Sequence, residues 1–295
     1  MVEALISALI AGLLVGGLYA VVAIGLSLIF GIIRVINFAH GSLLMASMYA
    51  GFWLWLLWGI DPYLSIIIVV PLTFLGGYAV QHFLIRPMFQ RERTYVVEPL
   101  GVLLLMAGLD MALSNGALLF FKSDFRAVTV PYGAAAVHLG FLTIPVTRLI
   151  LLVISMLLAL GLSWLLSRTE LGNAIRAVGQ NREAAALCGL NVYHIYALTF
   201  GLGCAVTGFG GCAMLPFYFV DPSMGLPLAI KSFIIVVLGG LGSIPGALLG
   251  GFIIGVVESV GGQFVPATSA SIFSLIMFLF IVFFRPKGLM GVLEA

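Results

Sequence analysis

Apolar positions along this chain come in long unbroken runs, with little of the two-residue alternation of half-buried strands. The runs lie near Leu5–Ile33, Val35–Trp58, Tyr63–Ile85, Val96–Phe121, Leu149–Leu166, Val192–Tyr218, Leu226–Val260 and Ile272–Phe284. All but the last reach the roughly 17 or more residues that carry a helix across the bilayer hydrocarbon. Backbone groups in lipid must be satisfied within the chain, so these runs predict helices. A β-barrel would show short alternating segments instead. The expected fold is an all-α polytopic membrane protein in a single transmembrane domain spanning residues 1–295. The first run is too long for a cleavable signal and lacks a basic start, so it is expected to be the first span.

The polar connections set the orientation. Arg86, Arg91 and Arg93 lie in one connection, Arg168, Arg176 and Arg182 in another, and Arg285 and Lys287 in the tail. Placing these with Arg34 on the cytoplasmic side puts nine basic residues inside, leaving Lys122, Arg126, Arg148 and Lys231 outside. Three full crossings after the Arg176 connection would leave the basic tail outside. One run must therefore deviate, and Leu226–Val260 is the over-long one. It contains "GGLGSIPGALLGG", whose Pro and six glycines cannot sustain one straight helix. The expectation is about seven full spans plus a re-entrant Gly-rich hairpin within 226–260, lining a pathway.

A second interruption lies in "RVINFAHGSLLMASMYAGFWLW", where Asn37, His40 and Gly41 break an apolar run. Paired interrupted segments in the two halves of a transporter point to its central site. Asn37, His40 and Gly41, with Gly239, Gly240, Gly242, Ser243 and Gly246, are therefore candidate pathway or gate residues. Asn37 and His40 could equally bond the backbone groups that the break frees. Both readings turn them into the bundle. Asp110, deep in the fourth run, is a further candidate, either functional or protonated against a neighbour. Glu98 is expected to start a helix and Glu258 to close the seventh run near the far interface. Gly12 and Gly16, and Gly242, Gly246 and Gly250, have the spacing of close helix packing.

Composition narrows the chemistry. Hydrophobic residues make up 62% of 295 and charged residues 8%, against about a quarter charged in soluble domains. The net charge of +2 gives no footprint for nucleic acid. Cys188, Cys204 and Cys212 have no metal-ligand spacing, and His40, His82, His138 and His194 are scattered. No HExxH or GxSxG occurs, and Ile230 precedes Lys231 and Ser232 where a phosphate-binding loop needs Gly. The chain is expected to be no enzyme and to bind no cofactor.

The connection "SRTELGNAIRAVGQNREAAALCGLN", residues 167–191, is too polar to span. Leu171, Ile175 and Val178 form one helical stripe, and Arg176, Gln180 and Glu183 repeat that spacing on another face. Gly179 is the expected bend and Gly189 the expected stop. From these residues alone the helix could rest on lipid headgroups.

"TELGNAIRAVGQNREAAALCGLNV" resembles the cytoplasmic coupling loop of bacterial ATP-binding-cassette importer permeases of the branched-chain amino acid subfamily, LivH type. "GLYAVVAIGLSLIFGIIRVINFAHGSLLMA" and "IKSFIIVVLGGLGSIPGALLGGFIIGVVES" resemble that subfamily's N-terminal and Gly-rich C-terminal segments. The resemblance implies an inner-membrane permease subunit for branched-chain or other hydrophobic amino acids. It implies as partners a second permease, related more than identical, two cytoplasmic ATPases that carry ATP and magnesium, and an extracytoplasmic solute-binding protein. On that basis Glu170, Arg176, Gln180, Asn181 and Glu183 are docking candidates, while Leu171, Gly172, Ala177 and Gly179 shape the helix. A permease for urea, an amide, an aromatic acid or a sugar is the alternative within the class. A stand-alone secondary transporter or channel is the alternative outside it.

Overall fold

A helix buried on every side needs neighbours that come close, and the N-terminal helix meets that demand with glycines. The computed structural model describes residues 2–91, 100–139, 142–266 and 269–291; Glu98 lies outside them. Helix α1 (Val2–Ile33) is the hub, continuously buried from Ala20 to Ile29. Next come α2 (His40–Trp58) and α3 (Pro62–Ala79), which continues through a π-helical stretch (Val80–Ile85) into α4 (Arg86–Arg91). Helix α5 (Leu100–Phe121) leads to a short antiparallel hairpin, β1 (Ala136–Leu139) with β2 (Leu142–Pro145), that the apolar pattern does not announce. Then follow α6 (Val146–Arg168), α7 (Glu170–Gln180), α8 (Arg182–Leu187), α9 (Val192–Met214), α10 (Gly225–Gly239), α11 (Ile244–Gly261) and α12 (Ser271–Phe284).

Among the described residues seven segments are long and apolar enough to span, while α10 and α12 are shorter apolar helices. Helix α9 is the second buried element, packed against α1, α2 and α3. The outer helices α3, α5, α6 and α12 keep bulky apolar residues exposed, including Ile67, Leu104, Leu160 and Phe283. Lipid is the solvent that accepts such a surface.

The expected break in 226–260 is present. Gly240 and Gly242 take φ of +106° and +82°, a turn that a side chain would strain, and Ser243 caps α11 by accepting from the Gly246 amide at 3.1 Å. The break packs against the end of α1. Gly242 lies on Gly31 near the end of α1, and the Ser27 hydroxyl donates to the Ser243 carbonyl at 3.3 Å. The turn therefore sits at the end of α1 that also meets α7 through Gly179 and Ile32. Helix α11 is long and apolar enough to span, while α10 is a shorter apolar helix. The tail returns to the same end, where the Leu289 and Met290 amides donate to the Leu238 and Gly239 carbonyls at 2.9 Å.

Helix α10 has 15 residues, about 22 Å, shorter than the roughly 30 Å hydrocarbon core. Its first residue, Gly225, packs on Gly41. The glycines with close-packing spacing do pack closely. Gly12 and Gly16 meet Gly255 and Gly251 of α11, while Gly246 faces Gly239 and Gly250 faces Ile235. Spacing shows which residues can approach, and the rotation of α11 decides which do.

Opposite the α7 end, Asp61 caps α3, accepting from the Tyr63 amide at 2.8 Å and the Tyr132 hydroxyl at 2.7 Å. Burial, with the Asp61 hydrogen bond and charge, pushes the Tyr132 phenol well above its ordinary value, so it stays a donor.

Two outcomes follow. Cys188 is exposed while Cys204 and Cys212 are buried, so an impermeant maleimide should label inverted membrane vesicles and spare intact cells; labelling of intact cells would reverse the orientation. A Cβ on Gly41 would enter the Gly225 carbonyl, whereas one on Gly161 meets open space. Gly41→Ala should destabilise the purified protein by about 1–3 kcal/mol, and Gly161→Ala should leave its thermal unfolding unchanged.

Candidate functional site

Residues 34–39 leave the end of α1 and climb back along it before α2 begins. Arg34 takes φ of +56°, uncommon for a residue with a side chain, and it turns the chain. His40 ends the climb level with the middle of α1, where its Nε2 lies 2.9 Å from the Val22 carbonyl. Val22 is eleven residues from Ile33, about 16 Å along the helix. With Nε2 protonated, Nδ1 faces the Thr207 hydroxyl of α9 at 3.5 Å. His40 is thus a strut joining α1, α2 and α9. The next residue, Gly41, brings α2 onto Gly225.

Asn37 behaves differently. It is fully buried, and neither its amide nitrogen nor its oxygen has a hydrogen-bond partner among the described residues. Gln81, in the π-helical stretch, is also fully buried with both side-chain polar atoms unmatched. Unsatisfied groups in a packed interior are costly, and π-helical turns recur at functional sites. Sequence reasoning identified Asn37 and missed Gln81, whose place next to His82 near a span end looked like an ordinary interfacial position.

Gly239, Gly240, Gly242, Ser243 and Gly246 do not join Asn37 and His40. They form the tight corner between α10 and α11, where Gly239 and Gly246 meet backbone to backbone and Gly240 lies beneath Gly291 of the tail. The two interruptions meet elsewhere, at Gly41 and Gly225 and at Gly31 and Gly242. Asp110 is also apart, half-exposed on α5, and forms no hydrogen bond or ion pair among the described residues. Helix α5 packs mainly on α2 and near its start, so most of its length faces outward.

The charges that do converge are Lys231 and Glu258, both assigned near interfaces by the apolar pattern. The Lys231 ammonium donates to Glu258 Oε2 at 2.9 Å and to the Tyr19 hydroxyl at 2.8 Å. The Tyr19 hydroxyl donates to the same carboxylate oxygen at 2.7 Å. The ammonium also lies 4.5 Å from the Tyr19 ring centroid. This triad ties α1, α10 and α11, with Glu258 Oε1 left without a partner. Lys231 therefore drops out of the count of basic residues in outer loops. The signal available in sequence was a lone Lys and a lone Glu near the two ends of one broken apolar run, which favours their pairing in lipid.

At the opposite end α7 and α8 form an elbow. Thr169 caps α7, accepting from the Gly172 amide at 3.0 Å, and Asn181 caps α8, accepting from Glu183 and Ala184 amides at 3.0 and 2.9 Å. The apolar stripe holds: Ile175 and Val178 are buried and Leu171 partly so. Gly172 presses on the Leu165 and Leu166 backbone, and Gly179 on Ile32. The bend falls at Asn181, since Gly179 is used inside α7 for packing. Glu183 thereby moves to α8, off the face of Arg176 and Gln180. Gly189, with φ of +86°, ends α8 as expected. Glu170, Arg176, Gln180, Asn181 and Glu183 are exposed, and Ala177 is half-buried. Leu187, not singled out from the sequence, is 91% exposed at the tip.

The family model described as "Branched-chain amino acid transport system / permease component" matches residues 8–283. The chain is 30% identical over 298 residues to BraD, a high-affinity branched-chain amino acid transport system permease protein of Pseudomonas aeruginosa, covering 96% of this chain and 94% of the relative. It is 28% identical to the permease protein LivH of Escherichia coli K12, covering 95% and 93%. A probable branched-chain amino acid transport permease protein, LivH of Methanocaldococcus jannaschii, is 27% identical over 93% of this chain and 89% of its own. With most of the chain matched and seven candidate spans, the protein belongs to the branched-chain amino acid transport permease family as a multi-pass membrane subunit.

Proposed function

We propose that the chain is one of two permease subunits lining the pathway of an ATP-driven importer of branched-chain or other hydrophobic amino acids. Cytoplasmic ATPases hydrolyse ATP with magnesium, an extracytoplasmic binding protein delivers the solute, and the α7–α8 elbow docks on one ATPase. The observation that carries the reading is the elbow itself. It is fastened to the membrane helices by one buried stripe and presents polar residues and an unpartnered Leu187 on the other side.

A mechanical route favours coupling. Helix α7 bears on Ile32 through Gly179, and Gly31 bears on Gly242, the turn from which α10 and α11 spring. A push on the elbow passes through the Ile32 side chain to the close Gly31–Gly242 backbone contact. A second permease is favoured by α5. Asp110, Ser114 and Asn115 follow helical spacing, and all three retain exposure on an outward helix. Such groups at membrane depth need protein or a water-filled path beside them.

Reconstitution tests the proposal. The chain alone in proteoliposomes should move no leucine, and adding the partner subunits, binding protein and ATP should start uptake; leucine flux by the chain alone would refute it. Leu187→Asp should lower ATP-driven uptake at least tenfold and reduce ATPase co-purification, with thermal unfolding unchanged. In Gly31→Ala, where a Cβ would lie 2.5 Å from the Gly242 Cα, ATP hydrolysis should persist while uptake falls at least tenfold.

A further inference from the structure

The outer end of the bundle, away from the elbow, holds a cage that the coupling mechanism does not use. Tyr49 and Trp53 lie one turn apart on α2 and share a face. Both rings pack on Phe121, the last residue of α5, with centroid separations of 4.2 and 5.8 Å. The Arg126 guanidinium stands 5.7 Å from the Phe52 ring and 5.6 Å from the Trp53 ring. It is held there by its Nη2 donating to the Phe121 carbonyl at 3.0 Å and by two backbone hydrogen bonds between Arg126 and Val220. Asp221 follows Val220 directly and is buried, one carboxylate oxygen accepting the Ser223 amide at 2.8 Å.

Among the described residues three donors in this cage have no partner: the Tyr49 hydroxyl, the Trp53 indole N–H and the Arg126 Nε–H. Tyr49 is 2% exposed, so bulk water does not serve it. Buried donors are normally matched, and three unmatched within one ring cluster call for an acceptor. A guanidinium among them favours a carboxylate, whose paired oxygens accept charge-assisted bonds. The aromatic walls exclude a strongly hydrated anion and suit an aliphatic chain. The connection from Lys122 to Phe125, beside the cage, is exposed.

We propose that this cage is an outer subsite for a small aliphatic amino acid. Arg126, Tyr49 and Trp53 donate to its carboxylate, Asp221 balances its ammonium, and Phe52 and Phe121 cover its side chain. The inference rests on the amino acid cargo proposed above and adds the place where the cargo is first held.

The test uses the complete permease–ATPase complex in lipid nanodiscs, titrated with leucine and with leucinol, which lacks the carboxylate, and followed by tryptophan fluorescence. Tyr49→Phe removes one hydroxyl and keeps the ring, and Arg126→Gln removes the cation. Leucine should bind more tightly than leucinol to the parent complex. Each variant should weaken leucine binding about tenfold, as loss of a hydrogen bond to a charged group does, with leucinol unaffected. Retained ATPase assembly of Tyr49→Phe guards against a folding defect. Equal titration by leucine and leucinol, or leucine shifts below twofold in both variants, overturns the subsite. Uptake is measured in parallel with the binding protein present. Uptake without the subsite signature refutes the inference alone. The signature without uptake supports it and refutes the proposed function, and absence of both refutes both.

Discussion

Contact between glycine backbones across helices is the constraint on which the rest of this structure depends. Lipid is as apolar as the helices, so burial does not drive one helix onto another inside the bilayer, and close packing and polar bonds must do so. Helix α1 meets α11 where Gly12 and Gly16 face Gly255 and Gly251, and it meets α9 where Gly25 faces Gly203. With side chains at these positions the helices would stand off, and the polar groups between them would lose their partners. The His40 strut and the Lys231–Glu258–Tyr19 triad reach across only because the backbones already lie close.

The same contacts make the molecule a stiff transmitter. Backbone against backbone leaves no side chain to adjust rotamer and absorb a displacement. At the end of α1, Gly31 meets Gly242 backbone to backbone, and Gly179 of the elbow touches the adjacent Ile32 side chain. The buried but unmatched Asn37 and Gln81 lie at a helix break and in a π-helical stretch. Rigid contacts and locally underbonded segments therefore coexist, which suits a protein whose helices must shift together yet rearrange at defined places.

The elbow shows how far a local pattern reaches. Leu171, Ile175 and Val178 sit one turn apart, and any helix formed there must bury them together. Gly179 reads locally as a bend, but the nearby Ile32 uses its missing side chain for packing. The bend then falls to Asn181, whose side chain can cap the next helix. Leu187 reads as one more apolar residue, and its isolation appears only once α8 is seen to project from the bundle.

The sequence by itself determined the solvent, the helical class, the break at Gly240–Ser243 and the amphipathic elbow, because periodicity and backbone chemistry act over a few residues. The family was legible too, from the order of three spaced motifs. Tertiary structure alone decided which glycines pair, because spacing defines a stripe and not its rotation. It alone brought Lys231 to Glu258, set Asp110 on an outward helix, and seated Gly242 on Gly31. Such outcomes depend on where another helix stands, and that position is a property of the packed bundle with no local trace in the chain.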